Sequence, residues 1–150
     1  MTTKRQKSEF PEYTNDNRWI WDANAHWWDN CIGDGNDFQT PLIEPSIERL
    51  LAVFVGDAIL DMAYDAGCFA RYIAELRAQV VAFDYNIKFI ERPWKRTPKD
   101  NTTKVNALLS LGVGRFDKAV CTMDLIDMPE ITPLFSALTR MLKSRNSRGG

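Results

Sequence analysis

Short apolar runs alternate with helical patterns along the chain from residue 58 onward. Four runs favour buried strands: "AILDM", "AQVVAFD", "TTKVNA" and "FDKAVCTM". Apolar residues three and four positions apart predict the helices that follow, as in "CFARYIAELR" and "PEITPLFSALTRMLK". Strands that alternate with helices are typical of a parallel sheet covered on both faces. We therefore expect about four parallel strands in the spatial order 3-2-1-4.

A tryptophan-rich helix is predicted before the first strand. The segment "NRWIWDANAHWWDNCIG" contains four of the five tryptophans of the chain. Trp19, Ala23 and Trp27 fall on one face of it at helical spacing. We expect these tryptophans, together with Trp28, to pack within an aromatic helix rather than to cap a ligand site.

The pattern predicts one folded domain between two polar tails. Residues 1–15 and 144–150 contain little that could be buried, which leaves residues 16–143 for the domain. Within it, "TPLIEPSIERLLA" predicts a further helix, with Thr40 as its N-cap residue and a proline at the first helical position.

Composition excludes several classes of function. Hydrophobic residues make up 45% of the chain, charged residues 26%, and the formal net charge is −1, which gives no reason to expect nucleic acid or an anionic membrane as a partner. The first residues carry no apolar core of a secretory signal, and we expect a cytoplasmic protein. Cys31, Cys68 and Cys121 are far apart and His26 is the single histidine, so we expect no metal site.

The stretch "ILDMAYDAGCFA" runs from a predicted strand through a turn into a helix. It contains Asp61 in the strand and Gly67 where the helix begins, so free helix amides are expected at the carboxyl edge of the sheet. Asp84 ends the next strand, 17 residues after Gly67. A carboxylate there can accept hydrogen bonds from both hydroxyls of a ribose, so loop and acid together indicate a nucleotide-like cofactor.

The segment "ILDMAYDAGCFARYIAELRAQVVAFDYNIKFIERPWKR" resembles the first two strand–helix units of class I S-adenosylmethionine-dependent methyltransferases of the small-molecule type. The resemblance covers roughly Trp19 to Lys143. It implies a three-layer αβα Rossmann-like sandwich, S-adenosylmethionine as cofactor and a small-molecule methyl acceptor. "VNA" resembles the segment that contacts adenine, and "GRFDKAVCTMDLIDM" the fourth strand and the loop beside the sulfonium. The cofactor-binding residues that it implies are Asp61, Ala63, Asp65, Gly67, Asp84, Tyr85, Asn106, Ala107, Thr122 and Met123.

Several positions depart from the pattern of that family. Ala63 and Asp65 replace glycines, Tyr64 takes a small position, and Pro93 interrupts a predicted helix. A carboxylate at Asp65 about 4 Å from that of the cofactor would repel it by up to ~4 kcal/mol at an effective dielectric constant of 20, so we expect weak or absent binding. If Asp65 faces the ammonium group instead, the sign reverses.

The sequence also predicts a sandwich truncated after the fourth parallel strand, because "SRNSRGG" stands where a fifth strand would begin. An exposed edge strand pairs readily with another chain, and we expect either self-association through it or poor solubility. Two alternatives stay open: an inactive methyltransferase-like domain without cofactor, and a nicotinamide-dependent oxidoreductase. The latter normally carries G-x-G-x-x-G after its first strand. No catalytic residue is assigned, since methyl transfer needs positioning more than acid–base chemistry.

Overall fold

The structure, a computed structural model, describes five ranges of the 150-residue chain: 11–32, 36–62, 67–84, 112–122 and 124–144. Their elements, in chain order, are α1 (Pro11–Ile32), a π-helical turn (Gln39–Ile43), α2 (Glu44–Leu51), β1 (Ala58–Met62), α3 (Cys68–Glu75), β2 (Gln79–Phe83), β3 (Lys118–Cys121), a 3-10 helix (Asp124–Asp127) and α4 (Thr132–Met141). Among these helices, none is both long and apolar enough to cross a membrane.

The three strands form one parallel sheet in the order β2-β1-β3. Asp61 in the central strand is in register with Ala82 of β2 and Val120 of β3. This arrangement confirms the predicted spatial order for the first, second and fourth predicted strands. The third, predicted at "TTKVNA", lies outside the described residues.

Each face of the sheet carries its own hydrophobic core, because successive strand side chains point to opposite faces. Ile59 of β1 packs with Ile73 of α3 in one core, and both side chains are fully buried. Leu60 of β1 packs with Phe116 and with Leu138 of α4 in the other. Helices therefore cover both faces, which makes the three layers of an αβα sandwich.

The start of α2 differs from the prediction that Thr40 is the N-cap residue. The side-chain Oδ1 of Asn36 accepts hydrogen bonds from the backbone amides of Phe38 (2.9 Å) and Gln39 (2.7 Å). Thr40 lies inside the π-helical turn, and its amide donates to the carbonyl of Asn36. The turn extends the helical segment toward the N-terminus, so the capping function moves to Asn36.

Helix α1 also differs from the prediction, both in its start and in its buried face. It begins at Pro11, a residue type that suits the first helical position, and so includes residues 11–15 of the predicted tail. The expectation of packing is wrong for most of the surface of Trp19 and Trp27, which are 72% and 62% exposed. It holds for Trp28, which is half-buried with its ring centroid 5.3 Å from that of Trp21. The less exposed side of the helix consists of Trp21, Ala25, Trp28 and Ile32. Both stripes have helical spacing, and periodicity does not distinguish them.

The outer edge of β3 is covered at its start by the chain that leaves α4. Leu142 forms a parallel bridge with Phe116. The amide of Phe116 donates to the carbonyl of Met141 (3.0 Å), and the amide of Lys143 donates to the carbonyl of Phe116 (2.8 Å). Within the described part of the chain, β3 itself pairs with β1. Self-association through this edge stays a prediction.

Candidate functional site

Polar side chains lie where the three parallel strands end. Asp61 is the penultimate residue of β1, Asp84 follows β2 directly, and Thr122 follows β3 directly. Because the carboxyl ends of parallel strands meet at one edge of a sheet, this edge brings together three residues that the sequence predicts for the cofactor site.

Burial distinguishes the two carboxylates from ordinary surface acids. Asp61 is 2% exposed and Asp84 is 8% exposed, and among the described residues they are the buried charged side chains. Asp61 shares its strand face with Ile59, the face that packs against α3. A buried carboxylate is costly unless polar groups compensate it, and both carboxylates have at least one such interaction. Two buried acids on adjacent strands are therefore a candidate ligand site.

The hydroxyl of Thr122 is the third polar group at this edge. Its Oγ1 is buried and has no hydrogen-bond partner in the described part of the protein. Gln39 Oε1 is the other such side-chain atom, and it lies in the π-helical turn before α2. A buried polar group without a partner costs roughly 1–3 kcal/mol of desolvation free energy. A ligand that forms a hydrogen bond with Thr122 would recover part of that cost as binding free energy.

The electrostatic character of the edge is negative, as the neighbouring thiol shows. The pKa of Cys121 is raised from 9.0 to about 12, first because the thiol is partly buried and then because Asp124, Asp61 and Asp84 disfavour a second negative charge there. A hydrogen bond from the backbone of Asp124 opposes this shift. The thiol therefore stays protonated at neutral pH, which makes it a poor nucleophile, and the surrounding carboxylates favour a cationic ligand group.

Gly67 marks the point where α3 begins. It is the N-cap residue with φ of +73°, a left-handed conformation that suits glycine. A residue with a Cβ atom would cost about 1–2 kcal/mol in this conformation, which accounts for the glycine at this position. The first amides of α3 have no helical acceptor, and they are donors for a carboxylate or phosphate at the helix N-terminus.

The remaining predicted cofactor-binding residues lie outside the described residues. They are Ala63, Asp65, Tyr85, Asn106, Ala107 and Met123. Asp124 is a further acid at this edge that the predicted set does not include: it is half-buried in the 3-10 helix and contributes to the field at Cys121. The feature of the sequence that could have indicated this acid is its closeness to the carboxyl end of β3, since Asp124 lies three residues after Cys121.

Comparison with known proteins shows the fold but no close relative. No family model matches the chain, and no curated protein matches it. A SAM-dependent methyltransferase from Aquifex aeolicus superposes with a TM-score of 0.65 at 16% identity, over 81% of this chain and 67% of that one.

Two further methyltransferase structures contain S-adenosylhomocysteine. Phosphoethanolamine N-methyltransferase 2 from Haemonchus contortus, which also holds phosphomonomethylethanolamine, gives a TM-score of 0.64 at 21% identity, over 92% of this chain and 34% of that one. A SAM-dependent methyltransferase from Geobacter sulfurreducens gives 0.55 at 16% identity, over 75% and 50%. This chain thus spans between about a third and two thirds of their lengths. It has the fold of the class I S-adenosylmethionine-dependent methyltransferases.

Proposed function

We propose that this protein binds S-adenosylmethionine at the carboxyl edge of its sheet and is a methyltransferase-like protein with a small-molecule acceptor. The observation that carries the proposal is the pair of buried carboxylates, Asp61 and Asp84, on adjacent parallel strands of a sheet with the methyltransferase fold. When bound, the cofactor supplies an electrophilic methyl group on a positively charged sulfur.

The described residues fit such a ligand in charge and in hydrogen-bonding capacity. The carboxylate of Asp84 can accept hydrogen bonds from two ribose hydroxyls. The negative field of Asp61, Asp84 and Asp124 suits a ligand that carries a sulfonium and an ammonium group. Thr122 Oγ1, buried without a partner in the described part of the chain, can bond to the same ligand, and the positive end of the α3 helix dipole suits its carboxylate.

These residues bind and orient; none of them needs to transfer a proton. Methyl transfer is an in-line displacement, and its rate depends on holding the acceptor and the methyl carbon in line. We therefore assign Asp61, Gly67, Asp84 and Thr122 to binding and name no catalytic residue. Six further residues complete the proposed site from the resemblance to the family: Ala63, Asp65, Tyr85, Asn106, Ala107 and Met123.

A calorimetric titration separates this proposal from its two alternatives. We expect at most weak binding of S-adenosylhomocysteine to the unmodified chain, stronger binding to Asp65→Gly, and no heat of binding with NADH in either. The comparisons offer no support for the nicotinamide-dependent alternative, since all three neighbours described above are methyltransferases. A chain that binds neither compound, even with Asp65 replaced by glycine, is the cofactor-free domain.

The residue assignment has its own test in the Asp84→Asn variant. Hydrogen bonds to a charged group contribute roughly 1.5–3 kcal/mol, so this change should weaken S-adenosylhomocysteine binding by about tenfold or more. Asp37 is an exposed acid before the π-helical turn. The Asp37→Asn variant loses the same charge away from the proposed site, and it is therefore the control. If both variants bind as the unmodified chain does, Asp84 does not hold the ribose.

A further inference from the structure

A second ligand site is suggested by an open groove between α1 and the segment that follows β3. Its volume is about 440 Å³, within the range of sites for small molecules. One wall is the α1 segment 16–20, and the other is the segment 126–129 at the end of the 3-10 helix. Because that 3-10 helix begins close behind β3, the groove belongs to the same end of the sheet as the buried carboxylates.

A hydrogen bond holds the two walls together. The side-chain amide of Asn17 on α1 donates to the backbone carbonyl of Asp127. These residues are 110 positions apart in sequence, so this contact is tertiary and joins α1 to the 3-10 helix. The groove is therefore a property of the folded chain rather than of either segment alone.

The walls of the groove are largely apolar but accessible. Ile126 is 82% exposed and Ile20 is 47% exposed, and Met128 is half-buried beside them. Large apolar side chains on both walls of one groove offer contact to an apolar ligand body, and burial of apolar surface contributes roughly 25 cal/mol per Å². This surface favours a ligand with an aromatic or aliphatic portion.

The charges of the groove have a single sign. Asp16 on α1 and Asp127 on the opposite wall both line it, and its described lining contains no lysine, arginine or histidine. Two carboxylates on facing walls attract a positive group and repel an anion. Charge and apolar surface together define the ligand class.

We propose that this groove binds a small organic cation with an apolar body, of which an arylalkylammonium ion is the simplest form. The ammonium group lies between the carboxylates of Asp16 and Asp127, and the apolar body lies against Ile20 and Ile126. The proposal concerns binding of the cation; its use as the methyl acceptor rests in addition on the proposed function.

The test is a titration of the full chain, without cofactor, with three probes of matched size: 2-phenylethylamine, 2-phenylethanol and phenylacetate. Binding is followed by two-dimensional NMR of backbone and asparagine side-chain amides. We expect the amine to bind most tightly, with shifts at Asn17 and around Asp127, and to lose affinity as salt is raised. Equal binding of amine and alcohol, or tighter binding of the anion, overturns the proposal.

Substitutions give a second, independent readout. Asp16→Asn and Asp127→Asn should each weaken amine binding about two- to fivefold, as expected for partly exposed ion pairs, and leave the affinity for the alcohol unchanged. Asp22→Asn is the matched control, because Asp22 lies on the same helix, pairs with Arg18 and does not line the groove. An equal loss in all three variants would mean that only net charge matters, which contradicts a defined site.

The outcome is separable from that of the cofactor proposal. A chain that binds S-adenosylhomocysteine but shows no preference for the amine refutes the groove proposal alone. A chain that binds the amine at this groove but not S-adenosylhomocysteine supports the groove and refutes the proposed function.

Discussion

Replacement of Thr122 by valine should stabilise the ligand-free protein and weaken its binding of the cofactor. The buried Oγ1 has no partner among the described residues, and valine has the same shape without the hydroxyl. Removing an unsatisfied buried polar group recovers part of a desolvation cost of roughly 1–3 kcal/mol. We therefore expect the free energy of unfolding to rise by about 1 kcal/mol, which corresponds to about 2–4 °C in Tm for a chain of this length.

The binding effect should have the opposite sign. If Thr122 bonds to the cofactor, its loss removes one hydrogen bond of about 0.5–1.5 kcal/mol, a two- to twelvefold loss of affinity for S-adenosylhomocysteine. Thermal unfolding with and without this ligand measures both effects on one sample. Thr139→Val is the control, because Thr139 is exposed on α4 and its hydroxyl bonds to the carbonyl of Ser136. A Thr122→Val protein that is destabilised by about 1 kcal/mol or more would show instead that the hydroxyl has a stabilising partner in the ligand-free protein.

The other predictions concern a largely buried ion pair, the loop and a thiol. Lys118→Met should lower the free energy of unfolding in denaturant by about 3 kcal/mol, because Lys118 and its ion-pair partner Asp57 are only 14% and 12% exposed. Lys143→Met is the control: Lys143 is 39% exposed, and its loss should cost under about 1 kcal/mol. Equal losses in the two variants would contradict this prediction. Asp65→Gly should strengthen S-adenosylhomocysteine binding in calorimetry, and a weaker affinity would mean that Asp65 pairs with the ammonium group. Cys121 should react with a thiol reagent far more slowly than exposed Cys31 at pH 8, and equal rates would refute its raised pKa.

The raised pKa of Cys121 also has a consequence for stability at high pH. Its value is about 12 in the folded protein against 9.0 for an ordinary thiol, so the unfolded chain loses the proton first as pH rises. Stability from this group is complete below about pH 9 and is lost as pH rises toward 12. As pH rises through this range, the wild-type chain should lose stability relative to Cys121→Ser, so their thermal unfolding midpoints should converge.

The sheet and its acids could be predicted from sequence because their signals are local. Ala58–Met62 and Gln79–Phe83 are short apolar runs between polar segments, and buried parallel strands have that pattern. Once the strands are parallel, Asp61 and Asp84 must lie at the same edge, since each comes at a strand's carboxyl end. The alternation of strands and helices thus predicts both the topology of the sheet and the common position of Asp61 and Asp84 at its edge.

The features that sequence did not predict depend on contacts between distant segments. The exposed face of α1 with Trp19 and Trp27 has the same periodicity as its buried face, and only the rest of the fold decides between them. The bond from Asn17 to Asp127 joins segments 110 residues apart and leaves no local pattern. The capping role of Asn36 depends on a π-helical turn, an irregularity that helix propensity does not indicate.

A crystal structure of the chain soaked with S-adenosylhomocysteine would show whether the cofactor binds where we propose. We expect electron density for the ligand at the carboxyl edge of the β2-β1-β3 sheet, with ribose hydroxyls within about 3 Å of the carboxylate of Asp84. The buried Oγ1 of Thr122 should lie within hydrogen-bond distance of the same ligand. Density elsewhere on the protein, or ribose hydroxyls that make no contact with Asp84, would contradict the proposed site.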